Sequence, residues 1–310
     1  MRNKILYLVT AVLFLAAIFT ACKKDNNTTS TDNTTEASLQ SDDQQRVSSE
    51  TEAVANDADV ALEATPSFSG RVDRTQSIIC DATVSIDSVS NPRTITITYN
   101  GTNCAGNRTR TGVVVLSMSQ GVHWKDVGAS ISVTYQDLKI TRLSDNKSIT
   151  ISGTQTYTNV TGGLLIYLPT LGTVTHTFTS SNMSITFDDN SQRTWQIAEQ
   201  RTFTYDNGVV ISVSGFHTDG SNTTIAEWGV NRLGHAFASS TVAPLVIRQD
   251  CNFRIVSGEI KHVTPAVTLT TTFGLDASGN ATSCPGTGHY YFEAVWTGAG
   301  GKSFTVIMPY

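Results

Sequence analysis

From Ser67 to Tyr310 the sequence keeps a period of two. Ile95, Ile97 and Tyr99 alternate with Thr94, Thr96 and Thr98, and Val174, His176 and Phe178 alternate with Thr173, Thr175, Thr177 and Thr179. Successive side chains of a strand point to opposite faces, so this pattern marks half-buried strands. Runs of the same kind include "ASISVTYQDLKI", "SITISGTQTYT", "VVISVSG", "FRIVSGEIKHV" and "SFTVIM", divided by turn formers such as "SDNK", "DDNSQ" and "TDGSN". No helical segment of ten residues separates successive strands, so the connections read as hairpins. The predicted fold is all-β: a large, mostly antiparallel meander over 67–310, forming a sandwich or barrel-like body of one domain.

The chain begins "MRNKILYLVTAVLFLAAIFTACKKD", where Arg2 and Lys4 precede an apolar run from Ile5 to Ala21. That layout predicts a signal peptide over 1–21. "FTAC" is similar to the bacterial lipobox with Phe19 in place of its usual Leu, which would make Cys22 the acylated first residue of the mature chain. An uncleaved helix is the alternative, since the run approaches the roughly 20 residues that span a bilayer. Lys23, Lys24 and the polar tract behind them favour cleavage. Residues 22–66 read as a disordered tether, "KKDNNTTSTDNTTEASLQSDDQQ", leading to a weak acidic helix from about Asp42 to Ala64. Ser41 and Asp42 are suitable caps and Pro66 is a stop. Val47, Val54, Ala58, Ala61 and Leu62 form a thin apolar face, which leaves open whether the helix packs on the body or frays.

The formal charge is −5 and becomes −7 without residues 1–21, which hold Arg2 and Lys4 and no acid. An exported acidic chain without interleaved basic and aromatic residues is a poor binder of nucleic acid. Membrane attachment would come from acyl chains on Cys22, because more than one chain anchors stably.

Excluding Cys22, four cysteines remain, and four allow three pairings. Pro92 lies midway between Cys80 and Cys104, so a hairpin folded there brings the two cysteines together at its open end. Cys251 and Cys284 flank a similar arrangement around Pro265. The segments near 78–120 and 249–310 thus read as related halves, each with a disulfide closing a hairpin. Export makes oxidation available to these thiols. No C-x-x-C or paired-His spacing supports zinc, and no cofactor is predicted.

"ACKKD", the acidic helix, "NPRTITITYNGTNCAGNRTRTGVVVLSM" and the late second cysteine pair together resemble a family of uncharacterised Bacteroidetes lipoproteins. The resemblance covers nearly the whole chain. It implies an outer-membrane lipoprotein, with surface exposure suggested by Lys23, Lys24 and Asp25, and it carries no activity with it.

Catalytic motifs are sparse. His123, His176, His217, His235, His262 and His289 form neither H-x-x-x-H nor H-E-x-x-H, and G-x-S-x-G is absent. His176 reads as a packed residue. Glycoside hydrolysis needs two carboxylates beside the scissile bond, and the β region has only Glu199, Glu227, Glu259 and Glu293. Glu227 adjoins Trp228 and Glu293 is near Trp296, the combination of acid and ring that a sugar site uses. The sequence therefore predicts a lipid-anchored envelope protein with a structural or ligand-binding role toward a glycan, peptide or protein, with Trp228 and Trp296 as candidate ligand contacts. A carbohydrate-active enzyme is one alternative, and an outer-membrane β-barrel, suggested by the alternating terminal "SFTVIMPY", is the other. Oligomeric state is open.

Overall fold

The computed structural model describes residues 28–71, 79–180, 182–284, 288–298 and 300–310. The signal peptide and Cys22 lie outside the described residues. The chain divides into two compact units, Met1–Thr35 and Glu36–Tyr310. In the first, residues 28–35 are described and are helical; apart from these, everything below concerns the second.

Helix α1 spans Thr28–Ala64 and contains the helix expected from about Asp42 to Ala64. No Gly or Pro interrupts Thr28–Ala64, and a helix fixed at its packed end extends at one hydrogen bond per residue, far more easily than it nucleates. The thin apolar face packs on the body: Val47, Val54, Ala58, Ala61 and Leu62 are at most 1% exposed. Burying each of the larger ones contributes roughly 1.5–3 kcal/mol. Thr65 then hydrogen-bonds the Ala61 carbonyl, and a single turn at Pro66–Ser69 ends at Gly70 in the left-handed region.

The rest is strand. β1 (Ala82–Asp87), β2 (Arg93–Thr102), β3 (Arg108–Met118), β4 (Ala129–Arg142) and β5 (Ser148–Asn159) follow one another as antiparallel neighbours. β6 (Thr173–Ser180) and β7 (Met183–Phe187) both lie between β5 and β8 (Gln192–Tyr205). β9 (Val209–Gly215) and β11 (Asn222–Val230) both lie between β8 and β12 (Ala236–Arg248), with β10 (His217–Asp219) beside β11. β13 (Arg254–Val263), β14 (Val267–Leu275), β15 (Tyr291–Gly298) and β16 (Ser303–Pro309) complete the sheet. All sixteen form one antiparallel sheet whose path runs from β1 to β16. Among the described residues the end strands pair on one side only.

Bulges between Thr111 and Val113, Tyr135 and Leu138, and Thr241 and Val246 bend the long strands. The bent sheet curls around α1, which explains why one apolar cluster holds Val54 and Leu62 of the helix together with Ile97, Val114, Val133, Ile185 and Trp195 from β2, β3, β4, β7 and β8. Both predicted hairpins are present, β1–β2 around Pro92 and β13–β14 around Pro265. Disulfides join Cys80 to Cys104 and Cys251 to Cys284, each with Cα atoms 5.3 Å apart.

Candidate ligand-binding site

The contact between α1 and the sheet is charged along both flanks. Arg110 bonds Asp57 at 2.8 Å and Arg108 bonds Glu50 at 2.9 Å, both from β3. From the opposite side Arg201 meets Glu52, and Arg232 reaches Asp43 at 2.7 Å. Ser48 donates to Glu227 at 3.0 Å, and Gln44 links Glu227 to Arg193. Guanidinium groups also cap aromatic faces, with Arg201 4.1 Å above Phe178 and Arg193 4.1 Å above Phe237.

Burial decides the charge states here. It pushes the Glu227 carboxyl up, opposed by Arg193, and pushes Asp59 up to about 7, helped by Glu63. Glu199 also rises through burial, against the pull of Arg201. His176 is 1% exposed between Trp124 and Phe203, and burial followed by the Arg201 charge takes it down to about 3. It is a packed neutral ring, as the alternation around it suggested.

The site open to solvent lies on the other face. Cross-strand register sets Trp228 beside Ala238 and Ala238 beside Val263, so these three share a face, while Glu227, Ser239 and His262 share the opposite one toward α1. Beside the large Trp228 ring, Ala236 and Ala238 project only methyl groups, which leaves a depression. His217 stacks on Trp228 with ring centres 3.9 Å apart and planes 11° from parallel. Asp219, Ile225, Phe237, Thr264 and Pro265 complete the lining of a cleft of about 490 Å³. Gly229 is required beneath it, because a Cβ there would lie 2.2 Å from the Thr194 carbonyl oxygen. Phe237 itself is 4% exposed, its ring on the face toward α1, where His262 stacks at 5.5 Å and shares a hydrogen bond with Ser239 at 2.8 Å. Burial and Arg193 push His262 down to about 4, so this support carries no charge near neutral pH. A smaller cleft of about 330 Å³ lies between Lys125, Tyr167 and Leu171.

The two candidate tryptophans are not brought together. Trp228 lines the larger cleft. Trp296 lies on the α1-facing side of the sheet, in a cross-strand row running from His262 through Leu269 and Trp296 to Phe304. Three strands and the thickness of the sheet separate the two rings. Trp124 and Trp195 are 1% and 0% exposed and belong to the core. None of Glu199, Glu227, Glu259 and Glu293 is among the residues lining either cleft. Sequence reading did not select His217, Asp219 or Phe237, because four strands and the β13–β14 turn assemble the cleft. The available signal was local: "EWGVNRLGHAFA" places a tryptophan across a hairpin from small residues.

The fold and site define a class: a single-sheet all-β protein curled around an N-terminal helix, with an aromatic cleft on its outer face. Comparison with protein-family models, curated proteins and solved structures returned no match.

Proposed function

We propose that this is a lipid-anchored protein of the bacterial envelope that binds a saccharide without transforming it, in the cleft at Trp228. The observation that carries the reading is the His217–Trp228 stack at the edge of an open cleft that also contains Asp219. A stacked aromatic pair is a rigid apolar platform suited to the C–H face of a sugar ring. An adjacent carboxylate accepts hydrogen bonds from sugar hydroxyls, and a few polar groups on a mainly apolar lining are what fix a ligand's orientation. The anchor is supported by the "FTAC" signal ending at Cys22 and by the charged residues that follow it. Among the described residues no helix is long and apolar enough to cross a membrane, so Cys22 is the attachment point this reading relies on.

Calorimetric titration against gluco-, manno-, galacto- and xylo-configured oligosaccharides tests the binding. One configuration is expected to bind, with affinity falling at least about tenfold in Trp228→Ala, a loss of about 1.4 kcal/mol, and unchanged in Trp296→Ala. Absence of binding across the series, or equal loss in both variants, contradicts the assignment. Labelling cells with a palmitate analogue tests the anchor: wild type should incorporate it and Cys22→Ser should not.

A further inference from the structure

We infer that two copies of this chain associate through β16, edge to edge, about a two-fold axis at Val306. β16 pairs with β15 in unbroken register from Tyr291–Pro309 to Thr297–Ser303, and among the described residues no strand covers its other side. Two flanking bonds settle which of its backbone groups are free. The Tyr310 amide donates to the Tyr290 carbonyl at 2.9 Å, and the Gly298 amide donates to the Lys302 carbonyl at 3.0 Å. Antiparallel ladders alternate, so Phe304, Val306 and Met308 bond back to β15. The N–H and C=O groups of Ser303, Thr305 and Ile307 therefore point outward, unpaired.

Soluble proteins blunt such an edge with charge, a bulge or a cover. Ser303–Pro309 has no charged residue and no bulge, and it exposes Phe304 by 64%, Met308 by 42% and Ile307 by 37%. The free edge at the other end of the sheet, β1, ends in Asp87, a charge of the kind that blunts an edge.

A second copy is the occupant that the pattern of β16 matches. Antiparallel pairing about Val306 sets Thr305 opposite Ile307 of the second copy, and each exchanges its free N–H and C=O with the other. Ser303 donates to the carbonyl of Pro309, so the missing proline N–H costs one bond at each end. Phe304 meets Met308 of the second copy on the face that holds Trp296, a favourable sulfur–aromatic contact. Because the strand is uncharged, self-pairing brings no like charges together. The Leu269–Trp296–Phe304 row would continue across the junction.

Val306 at the axis occupies a non-hydrogen-bonded pair, where facing Cα atoms are about 4.5 Å apart, within disulfide range. The test is oxidative cross-linking of full-length Val306→Cys in intact envelopes, read on non-reducing gels. A reductant-sensitive band of twice the mass is expected. It should be lost when Thr305→Pro is added, which removes one outward N–H and no β15 bond. Ile307→Lys, which places like charges across the junction, is the second disrupting variant should the proline impair folding. Ser90→Cys in the exposed β1–β2 turn is the control and should give no band. No dimer with Val306→Cys, equal cross-linking at Ser90→Cys, or a band that survives both disrupting variants in folded protein overturns the inference.

Discussion

Arg110 on β3 holds Asp57 of α1: its Nη1 donates to the Asp57 carboxylate at 2.8 Å, while Nε and Nη2 grip Asp81 at 2.7 and 2.6 Å. One guanidinium thus ties the helix, the sheet and the residue after Cys80. Its central carbon also lies 4.3 Å from the centre of the Tyr99 ring, whose hydroxyl donates to Asp57. Arg110→Ala would leave two carboxylates without their counter-charge, one of them on a side chain fully removed from solvent. Breaking one side of a buried pair costs about 3–5 kcal/mol. Urea denaturation of Arg110→Ala should show a loss of that size, and Arg108→Ala, whose side chain is more exposed, a clearly smaller one.

The apolar stripe of α1 carries its own prediction. Leu62 is fully buried, whereas Val60, on the opposite side of the helix, is 46% exposed. Leu62→Ala should destabilise the protein by about 2–5 kcal/mol through lost burial and an unfilled cavity, and Val60→Ala by under about 0.5 kcal/mol. Equal, small effects in thermal melts would mean that the helix is not part of the core.

Asp59 gives a pH signature. Burial and Glu63 raise its folded-state pKa to about 7, above its value in the unfolded chain. A raised carboxyl binds its proton more tightly when folded, so its contribution is fully present near pH 4 and is lost as pH rises through 7. Asp59→Asn removes that loss. The variant should match wild type at pH 4 and exceed it at pH 8, by on the order of 2 kcal/mol for a half-buried group. His176 and His262, with depressed values of about 3 and 4, act oppositely. Their contributions are present above pH 6.5 and are lost as pH falls toward 4, in both proteins alike.

The disulfides should be separable. Cys80–Cys104 spans 24 residues and Cys251–Cys284 spans 33, so the chain-entropy account assigns each about 3–4 kcal/mol. Replacing either pair with serine should lower stability by similar amounts. Peptide mapping with and without reductant should recover the two pairs separately.

Much of this architecture was legible in the sequence, because strands declare themselves locally. The alternation of Ile95, Ile97 and Tyr99 with threonine fixes which side faces the core, and the spacing of Cys80, Pro92 and Cys104 fixes a hairpin and its staple. The apolar positions of α1 were legible for the same reason. What local pattern could not show is the cradle. Arg110, Arg201 and Arg232 are far from α1 in sequence, and their ion pairs exist only once the sheet has curled. The outer cleft was hidden similarly. Trp228 was visible as a ring beside an acid, but Glu227 and Trp228 are adjacent on a strand and so face opposite ways, the acid toward α1 and the ring toward solvent. Trp296 was grouped with Trp228 because each stands near a glutamate, and strand parity puts it on the other side of the sheet.

The proposal that the Trp228 cleft binds a saccharide is tested most directly by indole N–H resonances of the ¹⁵N-labelled protein during titration with the oligosaccharide that binds. The four tryptophans report separate places: Trp124 and Trp195 the core, Trp296 the inner face and Trp228 the cleft. The account predicts that the Trp228 resonance, assigned by its absence in Trp228→Phe, shifts progressively to saturation while the other three stay in place. Saturable binding that moves the Trp296 resonance and leaves Trp228 unchanged would contradict it.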